Sequence, residues 1–211
     1  MMYPLFDEYL FGKINRGDIV LIEYPSLYPI EEFSWGFVIP LVTERDGAAV
    51  GDFFGVGNIL FKNYVRRLSG KKYRELIEMI KRIKVVKIGP GSISYGEVIE
   101  EVVPTYSVQS FLKNYYSVIN RIGHLPTKPG YFLTFGLGHY IHFGGSDAMK
   151  AILTGLSTIP MEEWATIHFI NEDLISREHL AMLEEISSVV FYVSNEGLTV
   201  KKGGDAIDSG G

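Results

Sequence analysis

Two histidines, His139 and His142, stand three residues apart in the stretch GLGHYIHFGG. That spacing can put both imidazoles on one side of a helical turn, and with His168 it would supply three nitrogen ligands to a metal. Glycines bracket the pair, and Asp147 is the one carboxylate close by in sequence. The expectation is therefore a loop over the carboxyl ends of strands, with histidines in ordinary hydrogen bonds and no metal. Other routes to catalysis are thin. No serine occupies a Gly-x-Ser-x-Gly elbow. Cysteine is absent, which removes thiolate nucleophiles, disulfides and iron–sulfur clusters. Glu184 and Glu185 fall late on an expected helix and read as a solvated pair. Gly55-Val56-Gly57 follows a strand, but Leu60 stands at the third glycine position of a dinucleotide fingerprint. The same holds for Gly89-Pro90-Gly91-Ser92, which lacks a lysine. Both stretches are expected to be turns, and no cofactor is implied.

Charge is unevenly spread. From Lys62 to Lys87 there are ten basic residues against only Glu75 and Glu78, in a chain whose net charge is −5. Lys62, Arg66, Arg67, Lys71, Lys72 and Arg74 lead the segment, with Tyr64 and Tyr73 interleaved. A basic surface with aromatics could follow a nucleic-acid backbone, could dock the acidic remainder of another subunit in a homo-oligomer, or could be a solvated pair of helices.

With 46% hydrophobic and 21% charged residues among 211, the chain suits one packed α/β domain over residues 1–202. Its last residues, 203–211, are rich in Gly, Asp and Ser and are expected to form a flexible tail. The opening MMYPLFDEYLFGK carries Asp7 and Glu8 in place of a basic leader region. The most apolar run, Phe33 to Val42, is about half of what spans a bilayer. A cytoplasmic protein without a membrane partner is expected. Scarcity of cysteine and glutamine (Gln109 alone) fits a thermophile.

The elements that must position any site follow from apolar periodicity. Ile19–Tyr24 (IVLIEY) reads as a strand buried on both faces, and Ala48–Phe53 as a second. Ile30–Glu44 reads as a helix kinked or shortened by Pro40. Helices are expected over 58–68 and 72–83, the latter with Tyr73, Leu76, Ile77, Ile80 and Ile83 at helical spacing. Val85–Ile88 is a third strand, and Ser107–Ile122 a strongly amphipathic helix. Tyr131–Phe135 and Ala165–Ile170 are further strands. Ser146 and Ser176 can cap helices that run to Leu156 and Ile186. Val189–Val193 and Leu198–Lys201 flank Asn195-Glu196-Gly197 and form a hairpin. Alternating strands and helices give a three-layer α/β sandwich, its sheet mostly parallel with an antiparallel C-terminal edge hairpin.

This order resembles the RecA/KaiC-like branch of the P-loop ATPases. Lys13-Ile14-Asn15-Arg16-Gly17-Asp18 is similar to that family's "G-I-P-x-G" lead-in to its first strand. The resemblance makes residues 48–53 the strand after the P-loop helix, 131–135 the Walker B strand, 165–171 the sensor strand and 189–201 the closing strands. The chain is also similar to an uncharacterised protein family of hyperthermophilic archaea thought to carry this core. The phosphate chemistry, however, is replaced. The loop Glu23-Tyr24-Pro25-Ser26-Leu27-Tyr28-Pro29 has no glycine and no lysine. Its prolines remove two N–H donors, and Glu31 and Glu32 would repel a phosphate at the following helix. Gly136 stands where Walker B wants a carboxylate.

The expectation is a binding or assembly module that does not hydrolyse nucleotide. A peptide, a protein or a small apolar ligand would occupy the former nucleotide cleft, lined by Tyr24, Pro25, Ser26, Tyr28 and Trp35, with Asp52, Asn171 and His139 opposite. Two alternatives stay open: an enzyme of unknown type using the strand-end cluster Asp52, His139, His142 and Asn171, and a nucleic-acid-associated protein using the basic segment 62–87.

Overall fold

The computed structural model describes residues 4–158 and 163–203. The expected tail, apart from Gly203, lies outside them. Along the chain come α1 (Pro4–Gly12), β1 (Ile19–Tyr24) and α2 (Ile30–Phe33). A π-helical turn (Ser34–Val38) leads into α3 (Ile39–Asp46). Then follow β2 (Ala48–Phe53), α4 (Val56–Val65), α5 (Gly70–Ile80), β3 (Lys84–Ile88), β4 (Glu97–Val102) and α6 (Val108–Gly123). The chain continues through β5 (Tyr131–Phe135), α7 (Leu137–Thr158), β6 (Ala165–Asn171), a 3₁₀ turn (Glu172–Leu174), α8 (Arg177–Ile186), β7 (Val189–Ser194) and β8 (Gly197–Lys202).

The strands form one eight-stranded sheet in the order β4-β3-β2-β5-β6-β1-β7-β8. Every pairing is parallel except the β7–β8 hairpin at the edge. The apolar runs of β1 and β2 are explained by this placement, since helices cover the sheet on both sides. One face packs Val20, Ile22, Val50, Leu133, Ile167 and Phe191 against α1, the α2–α3 run, α4 and α5. The other face packs against α6, α7 and α8.

Four features depart from the sequence expectations. Helix α1 was not anticipated, yet it seats Phe6 against Phe33, Phe37 and Phe191. Strand β4, reading EVIEEV, also escaped notice, because it is an edge strand in which only Ile99 is buried. Pro40 does not end the helix. The preceding turn widens to π, with Ile39 N–H donating to Ser34 O, and Pro40, which has no N–H to donate, falls in the first turn of α3. Finally, the stretch holding His139 and His142 is helical, not a loop. Helix α7 begins at Leu137 and breaks only at Gly145, whose φ of 54° a residue with a side chain rarely adopts. Among the described residues no helix is long and apolar enough to cross a membrane.

Candidate functional site

In an open parallel sheet, ligands bind where neighbouring strands send their connections to opposite faces. β1 and β6 meet that condition: β1 runs into α2 on one face and β6 towards α8 on the other. Here the two strand ends are tied together. Ser26 N–H donates to Asp173 Oδ2 at 2.8 Å, and Ser26 Oγ lies 3.2 Å and 3.1 Å from Asn171 Oδ1 and Nδ2. Asp173 N–H donates to the same Asn171 Oδ1 at 3.0 Å. The bonds from Ser26 hold the Asp173 carboxyl below the usual carboxylate range. Three further N–H groups of the loop and the start of α2 also bond locally: Tyr28 donates to Pro25 O, Ile30 to Tyr28 O and Glu32 to Pro29 O. Glu31 and Glu32 both bind Arg67, at 2.9 Å and 2.8 Å. A converging set of donors for phosphate is therefore not assembled from these groups.

The aromatic residues assigned to this cleft separate. Pro25 and Tyr28 are half-buried at the loop. Tyr24 is buried, and its phenol is raised by that burial and by the charge of Glu31. Trp35 is fully buried in the core, stacked on Phe135 and edge-on to Tyr95. It lines no cleft at the β1 end, because the helical turn points it down onto β5.

Asp52 does not face Asn171 either, since β5 lies between their strands. Its carboxylate turns to its own connection. Oδ1 accepts from Gly57 N–H and Oδ2 from Asn58 N–H, each at 2.9 Å, and Tyr95 Oη–H donates to Oδ2 at 3.0 Å. The chain reaches this geometry through Phe54 and Gly55, with φ of 59° and 73°. Gly57 leaves the necessary room: a Cβ there would stand 2.8 Å from the Phe135 ring and 3.0 Å from Asp52 Oδ2. Asp52 is thus the anion at the start of α4, held by the Gly-x-Gly turn. Burial raises its pKa, and the three donors oppose that rise.

The three imidazoles do not share a site. His142 Nδ1–H donates to Leu174 O at 2.9 Å. His139 is half-buried beside it on α7, and burial followed by the charge of His142 lowers its pKa. His168 is buried on the sheet beneath α6 and α7, 2.7 Å from Thr134 Oγ1, and burial pushes its pKa down to about 4. Among the described residues no cluster of three His, Asp or Glu could hold a metal ion. One ionisable group escaped the sequence reading. Glu23 is fully buried, with Oε2 2.6 Å from Lys201 Nζ, which also contacts Glu184. Burial raises its pKa to about 7 against the pull of Lys201. The available signal was a lone charge in the apolar run IVLIEY.

Residues 9–204 match the family described as a Pyrococcus protein of unknown function, DUF257. The chain belongs to the DUF257 family. Solved structures similar to this DUF257 chain agree on the fold. A Pyrococcus horikoshii OT3 protein studied structurally as PH0250 matches with a TM-score of 0.74 and 19% identity, over 92% of this chain and 91% of that one. A KaiC-like protein of the same organism, PH0186, matches at TM-score 0.59 and 18% identity, covering 95% and 86%. An uncharacterized P. horikoshii protein, PH0321, in complex with an unknown peptide, matches at TM-score 0.57 and 9% identity, covering 96% and 91%. A search of the curated proteins finds none that matches. The fold of this DUF257 chain is RecA/KaiC-like.

Two surfaces of the DUF257 chain remain. Five of the ten basic residues of the segment form ion pairs within the chain. Lys84 and Lys87 of β3 pair in register with Glu97 and Glu101 of β4, and their side chains form ion pairs across the strands. Arg67 binds Glu31 and Glu32, Lys71 meets Glu75 at 3.4 Å, and Lys81 meets Glu78 at 2.7 Å. Lys72 and Arg74 line an open groove together with Arg82, Glu44, Glu75 and Glu78, a surface of mixed sign. Lys62 and Arg66 lie exposed on and just beyond α4. At the carboxyl edge of the sheet, large apolar side chains face solvent: Leu27 after β1 (93% exposed), Ile59 on α4 after β2 (58%) and Phe143 on α7 after β5 (61%).

Proposed function

We propose that this RecA/KaiC-like domain binds a peptide or protein partner along the carboxyl edge of its sheet and does not hydrolyse nucleotide. The observation that carries the reading is the exposure of Leu27, Ile59 and Phe143 on the connections that follow β1, β2 and β5 at that edge. Apolar side chains exposed at a conventional ligand-binding edge mark an interaction surface. The self-occupied chemistry of the same edge supports it. Ser26 N–H is committed to Asp173, the N-terminus of α4 is committed to Asp52, and Ile30-Glu31-Glu32-Phe33, which open the helix after the β1 loop, include neither a lysine nor a hydroxyl to bind phosphate and magnesium. The peptide held by the PH0321 protein, which has the same fold at 9% identity, supports a peptide as the partner class.

The test is calorimetric titration of the full chain with Mg-ATP and with a panel of peptides rich in Leu, Phe and Ile. Peptide binding is expected, weakened at least about tenfold by Leu27→Asp with Phe143→Asp, because both side chains would leave a buried apolar contact. Mg-ATP should give neither heat nor a rise in melting temperature. An ATP-dependent stabilisation, or turnover abolished by Asp52→Asn, would overturn the reading.

A further inference from the structure

Helices α6 and α7 roof a cavity of about 110 Å³ on the face of the sheet opposite α4 and α5. Aliphatic side chains outnumber rings on its wall, and among the described residues no Asp, Glu, Lys or Arg lines it. It reaches the surface beside Val103, which lines it and is 79% exposed. The packing around it is divided. On the α4 side of the sheet the buried apolar residues form one continuous group. On the cavity side they form two. Leu137, Tyr140 and Ile152 belong to one, Val86, Val118 and Trp164 to the other, and all six line the cavity. The cavity is the gap between the two halves of this core.

Helix α6 stands over that gap without filling it. Its apolar stripe is well formed, yet only Val118 and Ile122 are buried, while Phe111, Leu112, Tyr115 and Ile119 are half-buried. Phe111, Tyr115 and Ile119 line the cavity, so an apolar occupant would withdraw more of their surface from water. The polar groups of the wall offer an occupant no comparable gain. Thr134 and His168 bond each other, Asn114 Nδ2–H donates to Val103 O at 3.1 Å, and Tyr140 Oη–H donates to Thr105 O at 2.6 Å. Thr166 Oγ1 and Trp164 Nε1 are enclosed by packing and expose almost no surface. Engineered apolar cavities of ~150 Å³ stay dry and take up benzene or xenon, and this one is close to them in size and character.

We propose that this cavity binds a small uncharged hydrocarbon, chain or ring, that needs no hydrogen bond, and that the occupant joins α6 to the sheet. Its contacts come from each wall: Val86 on β3, Phe132 on β5, Val118 and Ile119 on α6 and Ile152 on α7. A charged ligand would find no counter-ion there to offset its desolvation.

The probes are n-pentane, benzene and pentanoate, added to the full chain. Pentane and benzene should raise the melting temperature as their concentration increases, and pentanoate should not. In ¹³C methyl NMR spectra the two hydrocarbons should shift Val118, Ile119 and Ile152. Leu183, which is buried on α8 but does not line the cavity, should stay in place. Amide exchange along α6 should slow when pentane is bound. Val118→Phe fills the cavity from α6 and should weaken both hydrocarbons at least about tenfold. If that variant does not fold, the methyl shifts of the parent chain still decide. Failure of both hydrocarbons to bind, shifts centred on Leu183 and not on the cavity methyls, or pentanoate binding as tightly as pentane would each overturn the proposal.

Discussion

His168 and Glu23 are both buried ionisable groups, and burial shifts their pKa values in opposite directions along the charge scale. His168 falls from 6.5 to about 4 on folding. A base with a lowered folded pKa binds fewer protons when folded, so its contribution is complete above pH 6.5 and is lost as the pH falls towards 4. Glu23 rises from 4.5 to about 7. A carboxyl with a raised folded pKa binds more protons when folded, so its contribution is complete below pH 4.5 and is lost as the pH rises through 7. The two windows overlap with opposite slopes and partly cancel. Single variants should therefore expose the hidden slopes. In urea denaturation, Glu23→Gln should lose about 3 kcal/mol between pH 7 and pH 4 through His168 alone. His168→Gln should instead lose stability as the pH rises from 4.5 to 7 through Glu23. Variants whose slopes match that of the parent chain would contradict this assignment. Neither role was legible locally: a strand reports that its residues are buried, not which buried residue finds a partner. His168 meets Thr134 only because β5 and β6 are neighbours in register.

At the scale of elements, the start of α4 and the β3–β4 edge carry the clearest expectations. Asp52 satisfies two backbone N–H groups and Tyr95 Oη–H inside the core. Asp52→Ala leaves these donors buried and unpaired, which should cost about 3 kcal/mol. Gly57→Ala should cost about 1–3 kcal/mol through overpacking against Phe135 and Asp52. Both are read from denaturant midpoints, and a change within about 0.5 kcal/mol would show that α4 does not depend on this cap. At the edge, Lys84–Glu97 and Lys87–Glu101 are pairs whose acids are largely exposed, so solvent screens them. Reversing both acids, Glu97→Lys with Glu101→Lys, should lower the denaturant midpoint at low salt and lower it less at high salt. A loss independent of salt would mean that strand pairing, not charge, is responsible. Here the sequence was half legible. The basic segment is plain in composition, but its acidic counterpart lies on a strand whose alternation is masked by exposure on the edge.

For the whole molecule, the eight-stranded sheet puts β1 between β6 and β7, with β5 and β2 beyond β6. The sheet is mostly parallel with an antiparallel C-terminal edge pair, as the resemblance to RecA/KaiC-like ATPases implies, and the KaiC-like neighbour shares the fold. Two of this chain's strand-to-helix connections bond to neighbouring protein groups, Ser26 to Asn171 and Asp173 and Asp52 to Gly57 and Asn58. A domain so arranged should respond in melting temperature to peptides and not to Mg-ATP, and the paired Leu27→Asp and Phe143→Asp changes should separate partner binding from stability. Both residues are exposed, so the double variant is expected to melt within a few degrees of the parent chain.

What the sequence by itself determined is the alternation of buried strands and amphipathic helices, the C-terminal hairpin at Asn195-Glu196-Gly197, and the lack of lysine and glycine in the first strand's loop. Those are local properties, because periodicity and turn chemistry act over a few residues. The tertiary structure alone decided that Trp35 is core, that Asp52 caps its own helix, that β4 pairs its acids with the lysines of β3, and that His168 sits apart from His139 and His142. Each of these depends on which strands are neighbours and on which face a side chain emerges. Contacts such as Lys84–Glu97, 13 residues apart, and Thr134–His168, 34 apart, are set by that packing, and no local pattern encodes them.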